Sequence, residues 1–259
     1  MPHSTQPDEA AAGYQAWKDA LAGRRPNNLV VLGMFRSGST WAFNVALALL
    51  KAKLPGTKIF HAFAEGPSFD RALAKGTRRE QVLKCHGWTK ALGGALRSGR
   101  VTLVIHTCRD PLMALASCVE QFTNHPTFAH DWPFERAVDR IVQGLIIRRR
   151  LRAFPNCVVF DLHNDGEEQA LALLVEAIHP DVSEETRVHI QNAFRFGRMK
   201  KISRQLADRD AGDLLRGIND PRTLMHGNHV ARGTERRWTD VLTAEQVAYA
   251  RKAFEQVAG

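Results

Sequence analysis

The chain has 259 residues, a hydrophobic fraction of 44% and a charged fraction of 24%, ordinary values for one sizeable globular domain or two small ones. Disordered, collagen-like and coiled-coil classes are excluded, and no apolar run approaches the ~18–20 residues of a membrane-spanning helix. The formal charge of +9 favours an anionic partner: nucleic acid, an acidic membrane surface or a highly phosphorylated small molecule.

In chain order, residues 1–28 read as a polar lead-in with one short helix around Ala10–Leu21. They lack the charged-then-apolar pattern of a signal peptide, so the cytoplasm is the expected compartment. NLVVLGMF follows as a strand ending at Gly33, then a Ser/Gly turn, then a breaker-free helix over Thr40–Lys53. Further strands are expected at Lys58–Ala62, Gln81–Cys85, Val101–Thr107 and Cys157–Asp161. Helices are expected at Pro111–Phe122, Pro133–Phe154, Glu167–Ile178, Glu184–Phe194 and Ala244–Val257. Strands alternating with helices, with few hairpin signals, predict an α/β fold with a mainly parallel sheet covered on both faces. No repeat or linker interrupts residues 29–259, which read as a single domain. The charged, weakly periodic stretch at about 200–233 has the length of a lid or binding loop.

Four cysteines (Cys85, Cys108, Cys118 and Cys157) form no CxxC pair, which gives neither zinc spacing nor a disulfide framework. None of the 11 histidines pairs with another at ligand spacing, and no metal is expected.

The turn Gly33-Met34-Phe35-Arg36-Ser37-Gly38-Ser39-Thr40 joins the first strand to the first helix. Turns of this kind hold phosphate oxygens on backbone N–H groups and on the positive end of the helix. The spacing mimics the phosphate-loop pattern GxxxxGK[ST], but Ser39 occupies the lysine slot, and the cation is Arg36, three residues earlier. That argues against ordinary ATP or GTP chemistry. The bland alternative is a Ser/Gly turn with Ser39 or Thr40 capping a buried helix.

A second anion site is expected after the strand Val101–Cys108. Asp110 and Pro111 mark a helix start as N-cap and first helical residue. Arg109 therefore stands at the carboxyl end of a strand, where open α/β sheets place ligand groups, with Ser117 eight residues on. Its alternative is a surface arginine paired with Asp110 or Glu120.

These segments resemble the sulfotransferases that use 3′-phosphoadenosine 5′-phosphosulfate (PAPS). Arg36-Ser37-Gly38-Ser39-Thr40-Trp41 looks like the family's 5′-phosphosulfate loop, in the arginine form of carbohydrate-type and bacterial members. Arg109-Asp110-Pro111 with Ser117 looks like its 3′-phosphate motif. Lys84-Cys85-His86 is similar to the Lys-x-His segment carrying the base, and Ala231-Arg232-Gly233 with Trp238 to the segment closing over the 3′-phosphate. Phe194-Arg195-Phe196 resembles the stretch on the adenine side. Departures are Ala231 where the family has arginine, with Arg236 or Arg237 as substitutes, and Phe160-Asp161-Leu162 where a Tyr-Glu-Asp-like run is common. No dimerisation motif follows Trp238.

The resemblance implies a phosphate-loop NTPase-like sulfotransferase architecture and a sulfuryl transfer from PAPS to a hydroxyl or amine, releasing adenosine 3′,5′-bisphosphate. Arg36 and Lys84 would stabilise charge, and His86 would take the acceptor's proton. Arg36, Ser37, Gly38, Ser39, Thr40, Trp41, Arg109, Ser117, Phe194, Phe196, Arg232 and Gly233 would bind the donor, with Trp41 stacking on adenine or, alternatively, packing in the core. His61, Phe63, Phe122, His125 and Trp132 could line the acceptor pocket. The acceptor is expected to be a small molecule or a glycolipid, with no nucleic acid. Two rivals remain at this point, a small-molecule kinase using ATP–Mg²⁺ and a non-catalytic nucleotide or nucleic-acid binding module. The sulfotransferase reading requires Arg109 to emerge on the same sheet rim as the Ser/Gly turn.

Overall fold

A computed structural model describes residues 28–75, 79–123, 131–209 and 237–258. Strands β1 (Asn28–Gly33), β2 (Phe60–Phe63), β3 (Gln81–Cys85), β4 (Leu103–Cys108) and β5 (Cys157–Asp161) form one sheet in the order β2-β3-β1-β4-β5. Every pairing is parallel. The strand bounds expected for β3 and β5 are met, and β4 starts two residues later and ends one residue later than the sequence suggested.

Parallel pairing needs a crossover after each strand, and helices supply it. They are α1 (Ser39–Lys53), α2 (Gly66–Lys75), α3 (Lys90–Arg97), α4 (Pro111–Cys118), α5 (Phe134–Leu151), α6 (Gly166–Ile178), α7 (Glu184–Phe194), α8 (Phe196–Arg209) and α9 (Ala244–Ala258). Side chains alternate across the sheet. Leu29 and Val31 of β1 join Leu103, Ile105 and Phe160 under α1, α6 and α7. Val30 and Leu32 join Leu83 and Val104 under α2, α3 and the end of α5, through Phe69, Leu92, Ile147 and Leu151. All six β1 residues are buried, and each large apolar side chain among them contributes about 1.5–3 kcal/mol by leaving water. A third cluster lies beyond the strand ends, where Met34 and Cys108 meet α4, α5 and α9.

Three helices were not expected. α3 holds Gly93 and Gly94, poor helix formers, yet Thr89 caps it by accepting the Leu92 N–H at 3.1 Å. A Cβ on Gly93 would sit 3.2 Å from the Trp88 ring, so packing overrides propensity there. α2 opens with Gly66-Pro67, a first-turn proline, and α8 occupies the first ten residues of the stretch expected to be a lid. The rest of that stretch, the expected helix at Ala10–Leu21, His125, Ala231, Arg232, Gly233 and Arg236 lie outside the described residues. Among the described residues, no helix is long and apolar enough to cross a membrane, and no cluster of side chains could hold a metal ion.

Candidate nucleotide-binding and transfer site

Strand order decides what meets the first turn. β1 sits between β3 and β4, so Lys84 and His86 at the end of β3 and Arg109 at the end of β4 flank the loop at residues 34–38. Gly33 of β1 is in register with Thr107 of β4, two residues before Arg109. The positional requirement set by the sequence is met: the guanidinium and the turn share one rim of the sheet.

The loop is held in shape from below. The Ser37 hydroxyl donates one hydrogen bond, with the Met34 carbonyl at 2.6 Å, the Thr107 carbonyl at 2.9 Å and the Thr107 hydroxyl at 2.6 Å all in reach. Ser37 therefore ties the turn to β4, and its hydroxyl is engaged within the protein rather than turned to a ligand. A Cβ on Gly33 would run into Ser39, which explains the glycine. Gly38 has φ +88°, and a Cβ there would also lie 2.7 Å from Leu162.

Arg36 itself is left-handed, with φ +64°, an uncommon state for a residue with a side chain. Left-handed backbone at 36 and 38 is the conformation in which anion-binding turns are built, although the Ser37 N–H itself donates to the Met34 carbonyl at 3.2 Å. The N-cap of α1 is Gly38, not Ser39 or Thr40, so no side chain closes this helix start. An oxyanion is the complement of an uncapped helix start.

Three cations converge on this rim. Arg36 Nε donates to Ser117 Oγ at 3.1 Å, joining the first motif to the second. Lost hydration lowers the Arg36 pKa first, and repulsion from Arg109 lowers it further; as a guanidinium it stays charged. Lys84, 3% exposed, donates to Thr40 Oγ1 at 2.6 Å. Burial pulls its ammonium down to about 8, helped by the charge of Arg36. Arg109 is pulled down by burial too, and its Nε is buried with no hydrogen-bond partner among the described residues. A buried donor left unpaired costs about 1–3 kcal/mol. Repelling cations, an unpaired guanidinium N–H and an uncapped helix together fit a ligand carrying several negative oxygens.

Asp110 caps α4 as expected, accepting the Met113 N–H at 2.8 Å, and Pro111 is its first residue. The helix leaves the α form one turn earlier than expected, continuing as a π turn over Val119–Thr123. That turn brings Phe122 into a stack with Trp132 at 4.6 Å.

His86 lies between the cations and these rings. Its Nδ1 is 2.9 Å from the Gly33 carbonyl. A carbonyl only accepts, so Nδ1 carries the hydrogen and Nε2 keeps its lone pair. Burial, then the charge of Lys84, lowers its pKa to about 3, and the ring is neutral at neutral pH. Phe35 lies 4.8 Å and Phe63 5.6 Å from the imidazole, centre to centre. Trp132 is 5.4 Å from Phe35.

Other expected residues fall elsewhere. Trp41 is 6% exposed, edge-on to Phe160 at 6.1 Å, and its indole N–H donates to the Phe194 carbonyl at 2.9 Å. The core-packing alternative describes it, and the stacking surface expected of it is turned inward. Phe194 packs partly against the same core, whereas Phe196 is 47% exposed. His61 lies against Phe43 of α1, 6.3 Å away, rather than in the aromatic group around His86. Sequence reasoning missed Thr107, Phe35, Arg140 and Gly144. Gly144 lets α5 approach the loop: a Cβ there would lie 2.8 Å from Met34 Cγ and 3.2 Å from its Cα. No spacing rule marks these positions, because each acts through a partner far away in sequence.

No protein-family model matches the chain, and no curated protein matches it. Solved structures do. Mouse sulfotransferase SULT7A1 complexed with PAP superposes with a TM-score of 0.63 at 12% identity, covering 93% of this chain and 88% of that one. Retinol dehydratase, in a complex with androsterone and inactive cofactor PAP, gives 0.54 at 14% identity over 90% of this chain and 80% of its own. Its complex with retinol and PAP gives the same score and identity over 81% of its own chain. With the parallel order β2-β3-β1-β4-β5 and the strand–turn–helix start, the chain has the α/β fold of the sulfotransferases.

Proposed function

We propose that the protein is a PAPS-dependent sulfotransferase that moves a sulfuryl group to a small acceptor with His86 as general base. The observation that carries this reading is the convergence of Arg36, Lys84 and Arg109 on one uncapped helix start, with neutral His86 beside them. Structural neighbours bound to PAP support it.

The residues present fit such a donor. Arg109 Nε has an open donor for a phosphate oxygen. Ser117 Oγ accepts from Arg36 and has its own hydrogen to give to a 3′-phosphate. The loop N–H groups, Arg36 and Lys84 would hold the 5′ end, with Arg232 and Gly233 assigned to the 3′ side by resemblance alone. When bound, PAPS supplies a sulfuryl group on a good leaving group.

The chain's own residues do the rest. Arg36 and Lys84 are positioned to stabilise the negative charge that builds toward the leaving phosphate, which is where fixed charge accelerates transfer. His86 Nε2 takes the acceptor proton, while the Gly33 carbonyl holds the ring by Nδ1–H. The aromatic group of Phe35, Phe63, Phe122 and Trp132 would pack against the apolar part of an acceptor. A kinase would want its lysine in the slot held by Ser39, which is buried against Gly33; Lys84 would have to serve instead, and the PAP-bound neighbours support the sulfotransferase reading.

Thermal stabilisation tests the donor. Adenosine 3′,5′-bisphosphate is expected to raise the melting temperature, as any ligand of the native state does, well above the shifts given by AMP or ATP–Mg²⁺. Arg109→Ala should abolish the difference. His86→Ala should keep the shift and lose sulfuryl transfer by at least a hundredfold. Equal shifts with AMP and bisphosphate would end the sulfotransferase reading, and retained turnover would remove His86 from the reaction.

A further inference from the structure

Arg140 occupies an unusual place for a cation. It projects from α5 and is only partly exposed, with its guanidinium carbon 5.7 Å from the centre of the Phe35 ring. His86 also neighbours that ring, at 4.8 Å. Arg140 is also near enough for its charge to act on the His86 ring.

Among the described residues Arg140 makes no hydrogen bond or ion pair; the Phe35 ring is its neighbour. Arg136, one turn earlier, differs: it donates to the Asp131 carbonyl and lies over Trp132 at 4.9 Å. A partly buried guanidinium that has an aromatic neighbour but no carboxylate still has N–H donors to give. Arg140 contacts the Phe35 ring, whereas Arg36 bonds to Ser117.

We infer that the acceptor is an aromatic hydroxy compound that also carries an oxyanion group, with Arg140 binding the oxyanion while the hydroxyl faces His86. This rests on the sulfotransferase reading for what happens at the hydroxyl, but not for the binding preference itself. His86 and Arg140 both neighbour Phe35, at 4.8 and 5.7 Å from its ring centre, so one small acceptor can meet both. Guanidinium suits this work: its planar fork pairs with a carboxylate and its face lies on an aromatic ring.

Three matched phenols test it, 4-hydroxyphenylacetate, its neutral amide and the cationic amine tyramine, titrated calorimetrically into the protein with and without adenosine 3′,5′-bisphosphate. The acid is expected to bind at least tenfold tighter than the amide, the usual scale for one charge-assisted pair. Arg140→Gln should bring that ratio close to one, and Arg140→Glu should invert it toward tyramine. Arg149→Gln, an exposed arginine near the far end of α5, should leave it unchanged, and unliganded melting curves check that each variant is folded. The same order should appear in sulfation rates with PAPS. Equal affinities for acid and amide in the unaltered protein, or a ratio that survives Arg140→Gln, would overturn the inference. Failure of the bisphosphate shift would instead overturn the donor reading, and the acid-to-amide ratio without bisphosphate would still decide Arg140.

Discussion

Binding of a multiply charged anion should make the protein take up protons at alkaline pH, and Lys84 is the reason. Its ordinary pKa of 10.5 is lowered to about 8 by burial, with Arg36 adding repulsion. The direction fixes the sign. A base whose folded pKa is depressed penalises the native state while it is charged, so the penalty is present below pH 8 and relieved between about 8 and 10.5. A drop of this size corresponds to roughly 3 kcal/mol. Phosphate or sulfo oxygens beside Lys84 reverse the repulsion and raise its pKa again. At pH 8 about half of the unliganded molecules lack the Lys84 proton, so binding should take up close to half a proton per site, falling to about a tenth at pH 7. The ligand does not confuse the measurement, since its phosphates have second pKa values near 6 and are ionised at pH 8. Calorimetry in two buffers of different ionisation enthalpy reads the number directly. Lys84→Met should abolish the uptake and weaken binding. A value of zero at pH 8 in the unaltered protein, or uptake that persists in Lys84→Met, would refute the placement of Lys84 beside the anion.

Three further outcomes follow from the same geometry. In an NMR titration the His86 ring, assigned by His86→Gln, should show no step between pH 5 and 8, because its pKa is lowered to about 3; a step near 6.5 would mean an open, hydrated imidazole. Gly144→Ala puts a methyl against the backbone of Met34 and should cost about 1–3 kcal/mol by overpacking, with a tenfold or larger loss of bisphosphate affinity as the loop shifts; denaturant melts and binding together check it. Ser117→Ala removes both the acceptor of Arg36 and a hydroxyl donor, so bisphosphate affinity should fall further than affinity for adenosine 5′-phosphosulfate, and an equal fall would restrict Ser117 to orienting Arg36.

The parallel α/β character was legible because the strand segments are short and rich in apolar residues, β1 above all, and helical stretches with starts such as Asp110-Pro111 separate them. The rim motifs were legible for a related reason: phosphate recognition by backbone requires glycines at fixed offsets, and Gly33 and Gly38 occupy them. What stayed hidden depends on contacts between distant residues. Ser37 reads as a ligand group until Thr107 is placed 2.6 Å from it. Trp41 reads either as an adenine platform or as a core residue until Phe194 takes its N–H. The π turn at Val119–Thr123 leaves no mark in local propensity, and α3 forms against the propensity of its two glycines because Trp88 fills the space beside Gly93.

The absent loop lysine and the strand order are two sides of one arrangement. In the GxxxxGK[ST] pattern the cation sits on the helix that the loop begins, so the loop carries its own charge. Here position 39 is a serine wedged against Gly33, and the charge must come from elsewhere. Arg36 supplies part of it from within the turn, at the expense of a left-handed backbone. The remainder comes from β3 and β4, the two strands that border β1. Lys84 crosses from one side to Thr40, Arg109 stands on the other, and His86 reaches back to the carbonyl of Gly33. The chain runs outward from β1 to β2, returns to β3, then crosses to β4, which makes the carboxyl end of β1 a switch point of the kind that opens a crevice for ligands. Any order that put another strand beside β1 would leave the loop with Arg36 alone, too little positive charge for the doubly phosphorylated donor proposed above. On the proposed reading the sheet topology is therefore a condition of the chemistry, because β3 and β4 must both border β1.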